Sequence, residues 1–255
     1  MESYVDVNAI IGALKALYPD GICSLEYEKD YELLFAVRLS AQCTDERVNQ
    51  VTPALFARFP TLEAFAQADP EEVGRYIHSC GFFRGKSRDI VASARMLLRD
   101  YSGRVPGTME ELLRLPGVGR KTANLVLGDI YKAPGCVVAD THCIRISGRL
   151  GLTDGTRDPA KVEEQLRRVL PPEESNNFCH RLVLHGRTVC TARQARCAQC
   201  PLTAWCKYAH EAAAAAEHGA AQEYREKQKG VARSKTRPPC RFIWLMGDAA
   251  GRSVT

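Results

Sequence analysis

The sequence lacks long hydrophobic runs, and no stretch approaches the roughly 18 to 20 apolar residues that a membrane-spanning helix needs. Its first ten residues, MESYVDVNAI, lack the basic region and the apolar region of a secretory signal. Strand-like alternation of apolar and polar residues is also scarce. These absences argue against membrane, secreted and β-rich classes of protein, so we predict a cytoplasmic protein with no membrane partner.

Helical periodicity takes the place of strand-like alternation. Apolar residues recur at helical spacing in VNAIIGALKALY and again in ELLFAVRLSA. Asp69 and Asp158 each place a capping carboxylate before a proline, and proline suits the first position of a helix. The 255 residues are enough for one large domain or two smaller ones. We predict an all-α protein of about ten helices joined by short loops.

The positive charge of the chain is small but unevenly placed. The formal net charge is +5, and from Lys207 onward nine basic residues stand against five acidic ones. A basic tail is often simply solvated, and its more specific interpretation is contact with nucleic acid.

The segment LPGVGRKTANLVLGDI, residues 115–130, predicts a tight connection followed by a helix that begins near Arg120. Gly117 and Gly119 permit a left-handed backbone and close approach of a ligand. Upstream, MEELLRL begins with a capping-box pattern, so the region near 112–128 is a helix, a glycine hairpin and a second helix. Free amides at a helix N-terminus suit a phosphate group. From this segment alone, a packed helical corner with a solvated Lys121 is an equal alternative.

Four of the eleven cysteines crowd into CTARQARCAQCPLTAWC with the spacing C-x6-C-x2-C-x5-C. In an intracellular protein such a group indicates a metal centre rather than disulfides. Tetrahedral zinc and an iron–sulfur cluster both accept four cysteine ligands, and the spacing does not choose between them. The predicted ligands are Cys190, Cys197, Cys200 and Cys206.

Several motifs in a fixed order resemble the endonuclease III family of helix-hairpin-helix DNA glycosylases. They are LPGVGRKTAN, VVADTHCIRISGRLGL, LHGRTVC with the cysteine spacing, ELLFAVRLSAQCTDERVN and GFFRGKS. The resemblance runs from about residue 6 to residue 207. It implies base-excision repair of oxidised pyrimidines in duplex DNA, a [4Fe-4S] cluster rather than zinc, and a monomer that associates with the nucleoid if the source is bacterial.

The resemblance also implies a two-lobed fold with the DNA lying across the cleft between the lobes. A six-helix lobe is expected at residues 24–134, with the helix-hairpin-helix at its end. Residues 1–23 and 135–207 are expected to form the iron–sulfur cluster lobe. Residues 208–255 are a basic C-terminal extension without an equivalent in the family pattern, and the apolar run CRFIWLMGD within it has no assigned role.

Lys121 and Asp140 match the catalytic residues of the family. Lys121 lies near a helix N-terminus beside Arg120, which disfavours its ammonium form and makes a nucleophilic amine more accessible. Attack on C1′ expels the base and leaves an imine that permits β-elimination. Asp140 can take a proton from the amine and stabilise positive charge on the sugar. The alternative for Asp140 is a helix cap, and the two roles are compatible.

The remaining predicted site residues concern DNA binding. Gln42 and His142 resemble residues that occupy the space left by the extruded nucleotide. Phe82 stands where the family usually has leucine, the wedge that enters the base stack, and the alternative is that Phe82 joins the core. Arg193 and Arg196 are candidates for phosphate contact, with ordinary solvated charge as the alternative. Gly117, Gly119 and Arg120 complete this set as the phosphate-binding hairpin.

Three other functions remain open at this stage. The first is a sister glycosylase of the same fold, acting on mismatched thymine or uracil, on pyrimidine dimers or on mismatched adenine, although adenine-mismatch enzymes lack a lysine where this chain has Lys121. The second is a non-catalytic DNA-binding module, and the third is a zinc-stapled interaction protein. The presence of both Lys121 and Asp140 argues against a non-catalytic module.

Overall fold

The structure is a computed structural model that describes residues 5–217. The basic residues from Arg225 onward and the apolar run near the C-terminus lie outside the described residues. Within residues 5–217 there are eleven complete α-helices: α1 Val7–Leu17, α2 Asp30–Ser40, α3 Asp45–Arg58, α4 Leu62–Gln67, α5 Pro70–Tyr76, α6 Phe83–Asp100, α7 Met109–Leu112, α8 Arg120–Ile130, α9 Thr141–Leu150, α10 Pro159–Val169 and α11 Ser175–Thr188. Residues 207–217 are helical as well.

The prediction of an all-α protein is confirmed. Between residues 5 and 217 there is no strand, and the one isolated β-bridge joins Cys190 to Ala195. In the same part of the chain, no helix is both long enough and apolar enough to cross a lipid bilayer.

The predicted helix starts follow from side-chain caps. Asp69 accepts a hydrogen bond from the Glu71 amide at 2.9 Å, and Asp158 accepts one from the Ala160 amide at 2.9 Å. The helix predicted over MEELLRL is shorter than expected, because α7 ends at Leu112. The chain then turns toward Pro116, and a residue that precedes proline disfavours helical backbone.

Helix α2 lies at the centre of the first group of helices. Six of its apolar residues are buried, so apolar side chains surround it on most sides, as expected of a central helix. It packs against α3, α6 and α8, and α4 and α5 in turn pack against α6. Phe35 of α2 meets Phe65 of α4 edge to face at 5.0 Å between ring centroids.

Helix α11 organises the second group. It packs against α1 and α9, and it also contacts α8, which carries the glycine hairpin at its N-terminus. Residues 5–210 belong to one compact unit, and the described residues 211–217 lie outside it. The lobe boundaries at residues 24, 134 and 207 stay a prediction.

Candidate active site and metal-binding loop

The glycine hairpin has the backbone that its sequence predicts. Gly117 has φ of +73°, and an added Cβ there would lie 2.6 Å from Asp89 Oδ2, so only glycine fits without strain. Gly119 is different: it caps α8 with extended backbone, is exposed, and has no atom within 4 Å of an added Cβ. Helix α8 begins at Arg120 with no side-chain cap, so the amides of its first turn face outward from an uncapped N-terminus.

Lys121 and Asp140 line one open cleft of about 490 Å³. Lys121 is exposed on the first turn of α8, and Asp140 is the half-buried residue that precedes α9. Two further predicted residues, Gln42 and His142, line the same cleft. The structure therefore brings together four residues that are separated by up to 100 positions in the chain. A volume of this size accommodates a small ligand such as an extruded base.

Asp140 is a helix cap as well as a cleft residue. Its Oδ1 accepts a hydrogen bond of 2.7 Å from the Cys143 amide, and its own amide donates to the Val138 carbonyl oxygen at 2.8 Å. These bonds fix the carboxylate in one orientation at the end of the cleft. The capping role predicted from the sequence is confirmed.

Gln42 and Phe82 share an unusual backbone. Their φ values are 56° and 47°, in the left-handed region that residues other than glycine rarely adopt. Phe82 is 74% exposed, whereas its neighbour Phe83 packs against the core. Phe82 therefore does not join the core in the free protein. Strained, exposed residues of this kind cluster at binding sites.

The two loops that carry Gln42 and Phe82 are joined by Lys86, a residue that sequence reasoning missed. Lys86 is 1% exposed, and burial lowers the pKa of its ammonium group. The signal for its burial was present in the sequence, because Lys86 lies on the same helical face as Ile90 and Ala94.

The predicted basic and imidazole side chains have different surroundings. Arg120 forms a two-pronged ion pair with the buried Glu163 of α10, at 2.9 and 2.8 Å, so its guanidinium is already engaged. Arg193 and Arg196 are exposed on the cysteine loop. The pKa of His142 is lowered, chiefly because the imidazole is buried. The charge of Asp140 opposes this shift, and that of Arg145, which lies 3.2 Å from His142 Nδ1, adds to it. DNA contact by these four residues stays a prediction.

The four predicted ligands Cys190, Cys197, Cys200 and Cys206 line one cavity beyond the end of α11. Thr203 Oγ1 ties the loop together by donating to the carbonyl oxygens of Cys197 and Cys200, at 2.8 and 2.7 Å. The remaining wall is mostly apolar and comes from α9, α11 and the loop itself. Burial raises the pKa of Cys200 and of Cys206, so both thiols are protonated near neutral pH when no metal is bound.

Two basic or polar side chains face the sulfur atoms. Arg149 donates to Cys190 Sγ at 3.2 Å, and His185 Nε2 lies 3.4 Å from Cys200 Sγ. The cavity therefore offers four sulfur ligands with nitrogen groups of two side chains beside them.

A second cluster of ligand-type side chains was not predicted. It consists of Cys23, Asp129 and His180, and two of these residues line the same cleft as Lys121. Asp129 interrupts the apolar face of α8, which was the one signal in the sequence.

Comparisons with known proteins agree on one family. The sequence model of the HhH-GPD superfamily of base excision DNA repair proteins matches residues 35–172. The chain is 48% identical to endonuclease III of Synechocystis sp. over 197 residues, which cover 77% of this chain and 90% of the relative. It is 41% identical to endonuclease III of Bacillus subtilis over 191 residues, which cover 75% and 87%.

A solved structure gives the same result for the fold. It is described as a trapped covalent intermediate of endonuclease III with DNA, an estranged-adenine complex. The two chains superpose with a TM-score of 0.75 at 38% identity, over 80% of this chain and 96% of the other. The expected family and fold are confirmed.

Proposed function

Because this chain belongs to the endonuclease III family within the HhH-GPD superfamily of base excision DNA repair proteins, we propose that it releases damaged bases from duplex DNA and then cleaves the strand. Oxidised pyrimidines are the proposed substrates. The observation that carries the proposal is that Lys121 and Asp140 line one cleft of a size that accepts a base. The cytoplasmic, nucleoid-associated localisation stays a prediction.

The reaction begins with extrusion of the damaged nucleotide. Taking a base out of the stack costs a few kcal/mol, which binding energy has to offset. Gly117, Gly119 and the uncapped start of α8 present amides to the phosphate backbone. Phe82, which is exposed, and Gln42 enter the gap left by the nucleotide. Arg193 and Arg196 add sequence-independent contacts to phosphate.

The chemical steps then need one amine and one carboxylate. Lys121 Nζ attacks C1′ of the extruded nucleotide, the glycosidic bond breaks, and the base leaves with the bonding electron pair and takes up a proton from solvent. Asp140 accepts a proton from the attacking amine and stabilises positive charge on the sugar ring. The ring opens to an imine between Lys121 and C1′. Loss of a proton from C2′ then breaks the C3′–O bond and expels the 3′ phosphate, and water releases Lys121.

The four loop cysteines are the proposed ligands of a [4Fe-4S] cluster. The C-x6-C-x2-C-x5-C spacing, as part of the family resemblance, and the mostly apolar wall of the one cavity that the four cysteines line support this proposal. A cluster held by these four cysteines would cross-link the loop that carries Arg193 and Arg196. Iron and acid-labile sulfide are expected in equal amounts, about four of each per chain. Cys206→Ala should lose both, whereas Cys136→Ala, a buried cysteine outside this cavity, should keep them.

Incision of a panel of duplexes, each with one defined lesion, tests the proposed function. The panel contains oxidised pyrimidines, a mismatched thymine, uracil, a pyrimidine dimer and an abasic site. We expect base release and strand cleavage at oxidised pyrimidines and cleavage at the abasic site. Cleavage at none of the substrates would support a non-catalytic module, and preference for a mismatch or a dimer would support a sister glycosylase.

A further inference from the structure

Three side chains with metal-binding atoms meet in the wall of the cleft, although they come from distant parts of the chain. Cys23 lies in the loop before α2, Asp129 in the last turn of α8 and His180 in α11. Their sulfur, carboxylate oxygen and ring nitrogen atoms all lie within 4.8 Å of one another. His180 Nε2 is 2.9 Å from Asp129 Oδ1 and 3.1 Å from Oδ2.

The surroundings of this cluster hold its members in place. Asn176 Nδ2 donates to Asp129 Oδ1 at 2.8 Å, which orients the carboxylate as outer hydrogen bonds do in metal sites. Asp129 and His180 are each 7% exposed. The Oδ1 atom of Asn176 is buried and has no hydrogen-bond partner within the described residues. A buried polar atom whose hydrogen-bonding capacity is not used therefore lies in a side chain that contacts the cluster.

Cys23 supplies the sulfur atom of the cluster. Burial, and next the charge of Asp129, raises the pKa of its thiol to about 12. The thiol is therefore protonated near neutral pH, and a divalent cation has to displace this proton to solvent when it binds the sulfur atom.

The donor set selects the metal. One thiolate, one imidazole and one carboxylate are ligands of Zn²⁺, whereas Mg²⁺ and Ca²⁺ require oxygen ligands. The thiolate and the carboxylate together balance the charge of the ion. Cys23 and His180 line the cleft beside Lys121 and Asp140, so the fourth coordination position opens into the cleft. Three protein ligands and one open position are the arrangement of accessible zinc sites.

We propose that Cys23, Asp129 and His180 bind one Zn²⁺ ion in the wall of the cleft, and that the bound ion inhibits base release. The ion and the water on its open position take the space that an extruded base needs. The metal site rests on the geometry of the three residues and does not depend on the proposed function, whereas the proposed inhibition rests on that function.

Calorimetric titration of the iron-containing protein with ZnCl₂ tests the binding site. We expect one Zn²⁺ ion per chain with the iron content unchanged. Cys23→Ser and Asp129→Asn each remove a metal ligand. Each should weaken Zn²⁺ binding at least roughly 10- to 100-fold, because even the loss of a residue that only hydrogen-bonds to a ligand has an effect of that size. Cys136→Ser, which removes a buried thiol that does not line the cleft, should bind as the wild type does. No binding by the wild type, or equal binding by all variants, would overturn the site.

Cobalt gives a second readout that does not depend on activity. Co²⁺ in place of Zn²⁺ should produce a thiolate-to-metal absorption band in difference spectra of the wild type and of Cys136→Ser. The band should be absent from Cys23→Ser, and its persistence there would overturn the assignment of Cys23 as a ligand. Folding of each variant is checked by circular dichroism, and His180→Gln replaces any variant that fails to fold.

The inhibition is measured by comparing each protein with itself in the presence and absence of ZnCl₂. Base release by the wild type should fall and return after addition of a chelator, and the rate of Cys23→Ser should be unchanged by zinc. Zinc bound at the three residues without loss of base release would overturn the inhibitory role. If the protein releases no base under any condition, the proposed function fails, and the calorimetric result still decides the metal site.

Discussion

Lys86 donates a hydrogen bond of 2.8 Å to the carbonyl oxygen of Leu39, and a second bond of 2.8 Å runs from the same ammonium group to the carbonyl oxygen of Cys80. Leu39 is three residues before Gln42, and Cys80 is two residues before Phe82. One buried ammonium group thus joins the two loops whose exposed residues have left-handed backbone. We therefore expect the position of each loop to depend on that of the other.

We expect Lys86→Met to impair opening of the duplex more than chemistry. Each buried carbonyl oxygen that loses its donor destabilises the fold by about 1 to 3 kcal/mol. Base release from paired lesions should fall more than cleavage of preformed abasic sites, because only the first reaction needs both loops to separate paired bases. The two rates and the melting temperature are measured on one preparation.

The matched control is Lys29→Met. Lys29 also donates to a carbonyl oxygen, that of Pro60 at 2.8 Å, but its side chain is 47% exposed and lies on another surface. Its substitution should leave both rates unchanged. An equal loss on the two substrates in Lys86→Met would contradict the positioning role.

Asp140→Asn separates the capping role from the catalytic role. Asparagine caps helices about as well as aspartate, so the bond to the Cys143 amide is retained and the melting temperature should barely change. The amide cannot accept the proton of Lys121, so base release should slow at least roughly 100-fold, the range of general acid–base catalysis. Asp140→Ala should be as slow and also lose about 1 kcal/mol of stability. Full activity of Asp140→Asn would show that Asp140 acts only as a helix cap.

Phe82 is expected to act on paired DNA without contributing to stability. Because its side chain is 74% exposed, Phe82→Ala should leave the melting temperature unchanged. Base release from paired lesions should fall several-fold, since stacking on a base contributes about 1 to 3 kcal/mol. Phe82→Leu should retain activity. Strong destabilisation by Phe82→Ala, or equal loss at preformed abasic sites, would argue against the wedge.

The two glycines of the hairpin should respond differently to alanine. Gly117→Ala forces a left-handed backbone on alanine, which costs about 1 to 2 kcal/mol, and places Cβ against the side chains of Arg38 and Asp89. Its melting temperature should fall. Gly119→Ala meets no atom within 4 Å, so its stability should be unchanged while the added methyl group weakens DNA binding. Unaltered DNA binding by Gly119→Ala would contradict a phosphate contact at this turn.

Local features of the site could be predicted from the sequence because they depend on backbone conformation over a few residues. The positive φ of Gly117, the start of α8 at Arg120 and the cap by Asp140 all follow from short patterns. The early end of α7 could not be predicted from such a pattern, because apolar residues at helical spacing continue past Leu112 although the chain already turns toward Pro116.

Contacts between distant residues could not be predicted in this way. Arg120 pairs with Glu163, 43 positions away, and Cys23, which precedes α2, meets His180 of α11. Such contacts depend on how α8, α10 and α11 pack, and helical periodicity reports only which face of each helix is buried. The resemblance of the motifs to a known family predicted the cleft, but it gave no information on Cys23 or Asp129.

Reductive trapping on DNA tests the role of Lys121 most directly. Borohydride reduces the imine to a stable amine, so wild-type protein should become covalently attached to a duplex with an oxidised pyrimidine, and mass spectrometry of the digested adduct should place the sugar on Lys121. Lys121→Gln should give no adduct and no strand cleavage, yet bind abasic-site DNA nearly as well as the wild type. An adduct on another residue, or undiminished trapping of Lys121→Gln, would contradict the assignment of Lys121 as the nucleophile.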